Sequence, residues 1–356
     1  MTRASLGTFS KLAVLLVGGM AVFASAGTEA LPRLGHPTDD ALTCPDSMSA
    51  AVGTAAQRTP DYVRKVAPTA FTQPSKDLFN HARMAGYAYA LYDSYVDGKD
   101  PFQAFRYPDL KLIGLIYGDP LPETERPIKR KTTVTLYGFV ADEISTGRRY
   151  VVFRGTQKPA EWVRNIQAGQ RPYPAGSLPG SDGAHVHAGF YKIFQSLKFE
   201  TLSETKPLDE VLNSLTASHD VVFVGHSLGS ALATFAGVEA SQIDPESARH
   251  FRLVTVASPR VGDAGFAKMA AKIGRIDRIC NLVDIVPAVP ASIKGLSYVH
   301  IGVPYRVSSF DQPNLVNNVK KDGDQIGCWH SDQSYDLMLN PDYVAPKASI
   351  CVAKSR

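Results

Sequence analysis

The sequence predicts an α/β protein with a mostly parallel central sheet flanked by helices. Three observations predict it. Short, continuous apolar runs such as Val221-Val222-Phe223-Val224 and Arg252–Pro259 read as strands buried on both faces. Segments with helical spacing stand between them, which is the βαβ pattern. One strand passes directly into a helix through Gly225-His226-Ser227-Leu228-Gly229, a corner tight enough to need glycine on both sides.

In chain order, Asp77–Val96 places Phe79, Met84, Tyr87, Ala90 and Leu91 on a helical face, and a Pro/Gly-rich stretch follows. Thr132–Glu143 and Arg148–Thr156 alternate as a hairpin across residues 144–147. A long loop runs to about Ala184. Tyr191–Leu202 and Asp209–Ala217 are helical, and the corner strand and its Ala- and Leu-rich helix come next. Asp277–Asp284 forms a further strand, with a helix near Asp263–Lys272 before it. Leu296–Val307 forms a strand pair or one long strand, and Ser334–Leu339 closes the chain as a short helix.

The N-terminus carries Arg3 and Lys11, an apolar core from Leu12 to about Phe23, and Ala24-Ser25-Ala26. It reads as a secretory signal over 1–26. The core is short for a membrane span, and no other segment suits one. Residues 27–75 form an extension of unclear role, and 76–356 a single catalytic domain. The formal net charge of +4 includes the two cations of the signal, leaving +2. Nothing in that balance points to nucleic acid. The basic run Arg126–Lys131 reads as a solvated loop, or as a contact with an anionic lipid surface. Export makes Cys44, Cys280, Cys328 and Cys351 candidates for disulfides. Cys328–Cys351 is the favoured pair and Cys44–Cys280 the second, with Cys280 also acceptable as a free core thiol.

The residue at the tip of the glycine-fenced corner is Ser227, raised above the sheet at a helix N-terminus. A serine hydroxyl needs a base, and the base needs an orienting carboxylate. Asp284 ends a strand, where open α/β sheets present their ligands; its plainer reading is a turn-forming Asp. Asp244 and Asp263 suit caps, and Asp277 begins its strand at the wrong end. Of nine histidines, chain order leaves His300 and His330. His300 lies inside an apolar alternation, whereas His330 precedes the last helix in a loop, which favours His330. The residues before Thr156 form a strand ending in Arg154-Gly155-Thr156, so Thr156 and Leu228 are the candidate donors of an oxyanion hole.

Together these motifs resemble the class 3, fungal-type lipases of the α/β-hydrolase superfamily. The resemblance rests on FRGT at Phe153–Thr156 with Trp162 after it, VHAGF at Val186–Phe190 and GHSLGSALA at Gly225–Ala233. It continues through ASPRVGD at Ala257–Asp263, DIVPAVP at Asp284–Pro290, YVHIG at Tyr298–Gly302 and HSDQSY at His330–Tyr335. It implies an α/β-hydrolase fold with a helical lid, and Ser227, Asp284 and His330 as nucleophile, acid and base. Thr156 and Leu228 are implied as the oxyanion donors. It further implies a lid over Gln157–Gly169, where Trp162, Val163 and Ile166 share a helical face; an ordinary packed helix fits the same spacing. The expected activity is that of a secreted ester hydrolase on acylglycerols at a lipid–water interface. Feruloyl or cutin-like esters and phospholipids are the alternatives, and an inactive lipid-binding protein a distant one. The chemistry calls for no metal and no organic cofactor, and no protein partner is predicted.

Overall fold

Helices α1 (Lys76–Ala82) and α2 (Met84–Val96) lead into the short helix α3 (Pro101–Ala104) and strand β1 (Leu110–Gly118). The computed structural model describes residues 44, 76–119, 134–158, 169–174, 183–217, 220–291, 295–309, 312, 315, 324–344 and 351. The expected signal segment, most of the 27–75 extension and residues 159–168 of the expected lid lie outside these residues. No described helix is long and apolar enough to cross a membrane.

The remaining strands are β2 (Thr135–Glu143), β3 (Arg149–Phe153), β4 (Gln170–Pro172), β5 (His185–His187), β6 (Lys198–Glu200) and β7 (Thr205–Pro207). They continue with β8 (Val221–His226), β9 (Arg252–Val256), β10 (Arg275–Asn281) and β11 (Val303–Val307). Helices α4 (Ala188–Gln195), α5 (Leu208–Thr216), α6 (Leu228–Ile243), α7 (Ala264–Ala270), α8 (Asp324–His330) and α9 (Asp332–Leu339) complete the set used below. Nine strands form one sheet in the order β11-β10-β9-β8-β3-β2-β1-β6-β7. The half from β3 to β11 is parallel, and the half from β3 through β2 and β1 to β7 is antiparallel.

The continuous apolar run of β8 is explained by two cores. Val221 and Phe223 point into one, with Phe190 of α4, Leu212 of α5, Phe235 of α6 and Phe266 of α7. Val222 and Val224 point into the other, with Ala88 and Leu91 of α2 and Leu337 of α9. A strand covered on both faces has no position for a polar residue. Burial of each such side chain contributes about 1.5–3 kcal/mol.

Three elements differ from expectation. The single helix expected over Asp77–Val96 is two, broken at Arg83. Strand β1 lies in the stretch expected to be a Pro/Gly-rich connection. Its Gly114 is a strand glycine: a Cβ there would stand 2.5 Å from the Phe199 ring, so glycine is what lets β6 approach. The helix expected over Tyr191–Leu202 stops at Gln195. Ser196 caps it by donating from Oγ to the Ile193 carbonyl at 2.7 Å, and the chain re-enters as β6 beside β1. Both candidate disulfides form: Cys328–Cys351 ties the C-terminal segment to α8, and Cys44–Cys280 ties a point of the extension to β10.

Candidate active site

The parallel half of the sheet brings the ends of β3, β8 and β10 together, and the candidate residues follow those ends. Thr156 follows β3, Ser227 follows β8 and Asp284 follows β10. Ser227 has φ 57° and ψ −128°, a conformation costly for a residue with a side chain. It is held there from several sides. Its N–H donates to the Val256 carbonyl at 2.9 Å, and Ser230 Oγ bonds the Gly225 carbonyl at 2.7 Å. A Cβ on Gly225 would stand 2.1 Å from the Gly229 carbonyl oxygen, and one on Gly229 would stand 2.4 Å from that of Phe153. The helix that begins at Leu228 runs to Ile243, so the Leu228 N–H lies in its first turn beside the serine.

Arg154 organises the loop that follows β3. It is fully buried, donates to the carbonyls of Leu136 and Gly155 and to Thr135 Oγ1, and lies 3.6 Å over the Tyr92 ring. Gly155 brings this loop against the elbow: a Cβ on it would stand 2.6 Å from Ser227 Cβ. Thr156 Oγ1 is buried with no hydrogen-bond partner.

Asp284 and His330 meet across the end of the sheet. The distance from His330 Nδ1 to Asp284 Oδ2 is 2.7 Å, with the two residues 1% and 0% exposed. An Nδ1–H given to the carboxylate leaves Nε2 as the acceptor nitrogen. That Nε2, like Ser227 Oγ, is buried and has no hydrogen-bond partner. Asp284 is held by two further donors: the Val286 N–H reaches Oδ1 at 3.0 Å, and Tyr335 Oη donates to Oδ2 at 2.9 Å. The Asn281 N–H in turn donates to Tyr335 Oη at 2.7 Å. Asn281 also reaches the carbonyl of Trp329, next to His330, at 3.0 Å. Burial, and the Asp284 charge beside it, hold the Tyr335 phenol well above its usual range, so it stays a donor. His330 ends helix α8 rather than sitting in a free loop.

His226 links the two halves. Its Nε2 donates to the His330 carbonyl at 2.8 Å, so its Nδ1 accepts from Tyr89 Oη at 2.9 Å. Tyr89 Oη also accepts the Gly155 N–H at 3.0 Å. Burial, then the neighbouring His330, push the His226 imidazole well below its usual range and keep it neutral. A hydrogen-bonded chain of four groups, Gly155, Tyr89, His226 and His330, therefore runs from the Thr156 loop to His330.

The competitors have structural roles. Asp263 caps α7 by accepting the Phe266 N–H at 2.9 Å, and Asp244 accepts the Ser247 N–H at 3.0 Å. Asp277 pairs with Arg252 and Arg275. His300 contacts the Pro287 carbonyl at 2.7 Å, and His187 caps α4. Trp162, Val163 and Ile166, expected on a lid, lie outside the described residues. Sequence reasoning missed Tyr89, Asn281, Arg154 as an anchor, and Tyr335. Tyr335 had a faint signal, a tyrosine in the same short segment as the histidine.

Residues 150–294 match the family model described as lipase (class 3). Over those residues the chain is similar to the class 3 lipases. The chain is 31% identical to phospholipase A1-II 4 of Oryza sativa subsp. japonica over 206 residues, 53% of this chain and 50% of that protein. It is 34% identical to a Rhizopus niveus lipase over 121 residues, 33% of this chain and 28% of that one. The chain thus spans half or less of these two relatives. It is also 28% identical to the secreted mono- and diacylglycerol lipase A of Penicillium camembertii, covering 56% of this chain and 59% of that protein. Among solved structures, the Rhizomucor miehei triacylglyceride lipase superposes with a TM-score of 0.50 at 22% identity, over 73% of this chain and 94% of that one. This likeness is one of fold. That likeness of fold, the match over 150–294 and the sheet order together give an α/β-hydrolase fold.

Proposed function

We propose that this protein is a secreted serine hydrolase of lipid esters, with Ser227 as nucleophile, His330 as general base and Asp284 as the orienting acid. The carrying observation is the pairing of a positive-φ serine at a strand–helix elbow with a buried Asp284–His330 bond. The two atoms the reaction needs free, Ser227 Oγ and His330 Nε2, have no other hydrogen-bond partner.

In this reading Ser227 Oγ attacks the ester carbonyl while His330 Nε2 takes its proton. Asp284 holds the tautomer and supports the charge on the imidazolium. The N–H of Leu228, with Thr156, stabilises the oxyanion. The proton passes to the leaving alcohol, and water then attacks the acyl-enzyme with His330 as base again. Export through the 1–26 signal suits two disulfides, which persist in oxidising compartments. The 157–169 segment is proposed as a lid that moves at a lipid surface. A jump in rate as substrate passes its solubility limit supports that role, and a smooth rise removes it.

The decisive experiment is hydrolysis of p-nitrophenyl esters of increasing acyl length, beside emulsified acylglycerol. Ser227→Ala is expected to lower kcat by at least ~1,000-fold, since a triad acts as a unit. Retained activity in that variant would overturn the assignment.

A further inference from the structure

The loop that follows β3 has to present the Thr156 N–H at a fixed angle. A peptide unit is planar and trans, so the Thr156 N–H points opposite to the Gly155 carbonyl of the same unit. Arg154 holds that carbonyl with a guanidinium N–H at 2.8 Å. The preceding unit carries the Gly155 N–H, which donates to Tyr89 Oη at 3.0 Å. The two units meet at the Gly155 Cα. Arg154 therefore fixes one plane and Tyr89 the other, and together they set the two backbone angles between. Arg154 is the next residue in the chain, whereas Tyr89 comes from α2, 66 positions away.

Glycine gives this joint no side chain of its own to restrain it, so hydrogen bonds must do so. The space admits nothing larger. A Cβ on Gly155 would stand 2.6 Å from Ser227 Cβ, 2.6 Å from Tyr89 Oη and 2.7 Å from the His226 carbonyl oxygen. Residue 155 is thus wedged between the nucleophile and the phenol. The phenol is itself oriented. His226 Nε2 donates to the His330 carbonyl at 2.8 Å, so Nδ1 is the acceptor and the Tyr89 O–H points to it at 2.9 Å. A phenol that gives its one proton to His226 meets the Gly155 N–H with a lone pair. The Tyr89 and His226 rings pack edge to face, with centroids 5.6 Å apart, which steadies the phenol. Tyr89, Thr156, His226 and His330 all line one cavity of about 500 Å³, so the joint stands in the wall of the space beside the serine.

We propose that Tyr89 is a positioning residue of the oxyanion hole: its hydroxyl sets the plane of the Gly155 amide and, through it, the direction of the Thr156 N–H. Phenylalanine would fill the same space, but only a hydroxyl both accepts the Gly155 N–H and donates to an imidazole. The oxyanion develops only as the ester carbonyl becomes tetrahedral. A donor turned away from it raises the barrier and leaves binding of the ground-state ester unchanged. The role rests on the reading of Ser227 as an ester-hydrolysing nucleophile.

Tyr89→Phe in the full chain deletes the oxygen and keeps the ring. On a p-nitrophenyl ester its kcat is expected to fall about tenfold with KM unchanged, since a misplacement of about 1 Å costs up to about 100-fold. Tyr107→Phe is the control: it loses a bond to the Tyr87 carbonyl in the wall of the same cavity, and kcat should hold. Phenylboronic acid becomes a tetrahedral anion on a serine oxygen, so Tyr89→Phe should bind it about tenfold more weakly, in step with kcat. A fall in kcat with boronate affinity unaltered would place the effect away from the oxyanion and overturn the role. So would a loss of kcat/KM that lies wholly in KM. Urea unfolding of the same variant separates folding from positioning: a lowered midpoint with kcat and boronate affinity intact makes Tyr89 a residue of the fold. Hydrolysis by the unaltered protein and by Tyr89→Phe at equal rates removes the positioning role alone. No hydrolysis and no boronate binding by the unaltered protein removes the hydrolase reading, and the role of Tyr89 with it.

Discussion

Replacing Tyr335 with Phe deletes one oxygen that serves two buried bonds. That oxygen accepts the Asn281 N–H at 2.7 Å and donates to Asp284 Oδ2 at 2.9 Å. Phe fills the same volume, so no cavity forms. The Asn281 N–H loses its acceptor, and a buried donor left unmade costs about 1–3 kcal/mol. The carboxylate keeps His330 and the Val286 N–H and loses a charge-assisted bond, worth about 1.5–3 kcal/mol in its own right. The two share one atom and are not independent, so the expected loss of stability is about 3 kcal/mol. Chemical denaturation measures it. In the proposed mechanism Asp284 works through His330, and a carboxylate freed on one side orients the imidazole less well. An approximately tenfold fall in kcat with KM unchanged is expected, on a p-nitrophenyl ester at saturating substrate. In an Asp284→Ala background the same change should leave kcat unaltered, because Tyr335 then has no carboxylate to hold. Loss of stability with full kcat would show Tyr335 to be a fold residue only. An equal loss of kcat in both backgrounds would refute its action through Asp284.

Glu239 of α6 is buried, and burial with the nearby Asp209 raises its carboxyl to about 7, against the Tyr173 hydroxyl that donates to it at 3.1 Å. A carboxyl raised on folding favours the folded state while protonated, so its contribution falls as pH rises from its unfolded value toward 7. Glu239→Gln should therefore stabilise the protein at pH 8 by up to about 3 kcal/mol and do little at pH 4; thermal melts at both pH values check this, and equal shifts would contradict it. Gly229→Ala places a Cβ 2.4 Å from the Phe153 carbonyl oxygen and should destabilise by about 3 kcal/mol or more, read by urea unfolding. Replacing Cys328 and Cys351 by Ser opens a bridge between residues 23 apart and should cost about 3 kcal/mol, read by the same unfolding curve with and without reductant.

What the sequence determined is local. Gly225, Ser227 and Gly229 specify the elbow because only glycine gives the backbone room on both sides of a strained residue. The uniform apolar run of β8 specifies a strand covered on both faces. Phe153–Thr156 shows a strand ending in a loop, and chain order narrows the acid and base to a few residues. The antiparallel half was less legible. The glycines of β1 carry the same letters as loop punctuation, and only the approach of Phe199 explains Gly114.

The tertiary structure decided what depends on distant residues meeting. Asp284 and His330 are separated by 46 positions, and Tyr89 and His226 by 137, so no spacing in the sequence records their bonds. A hydrogen bond or a shared charge is a property of positions in space, and the chain must close before such positions exist.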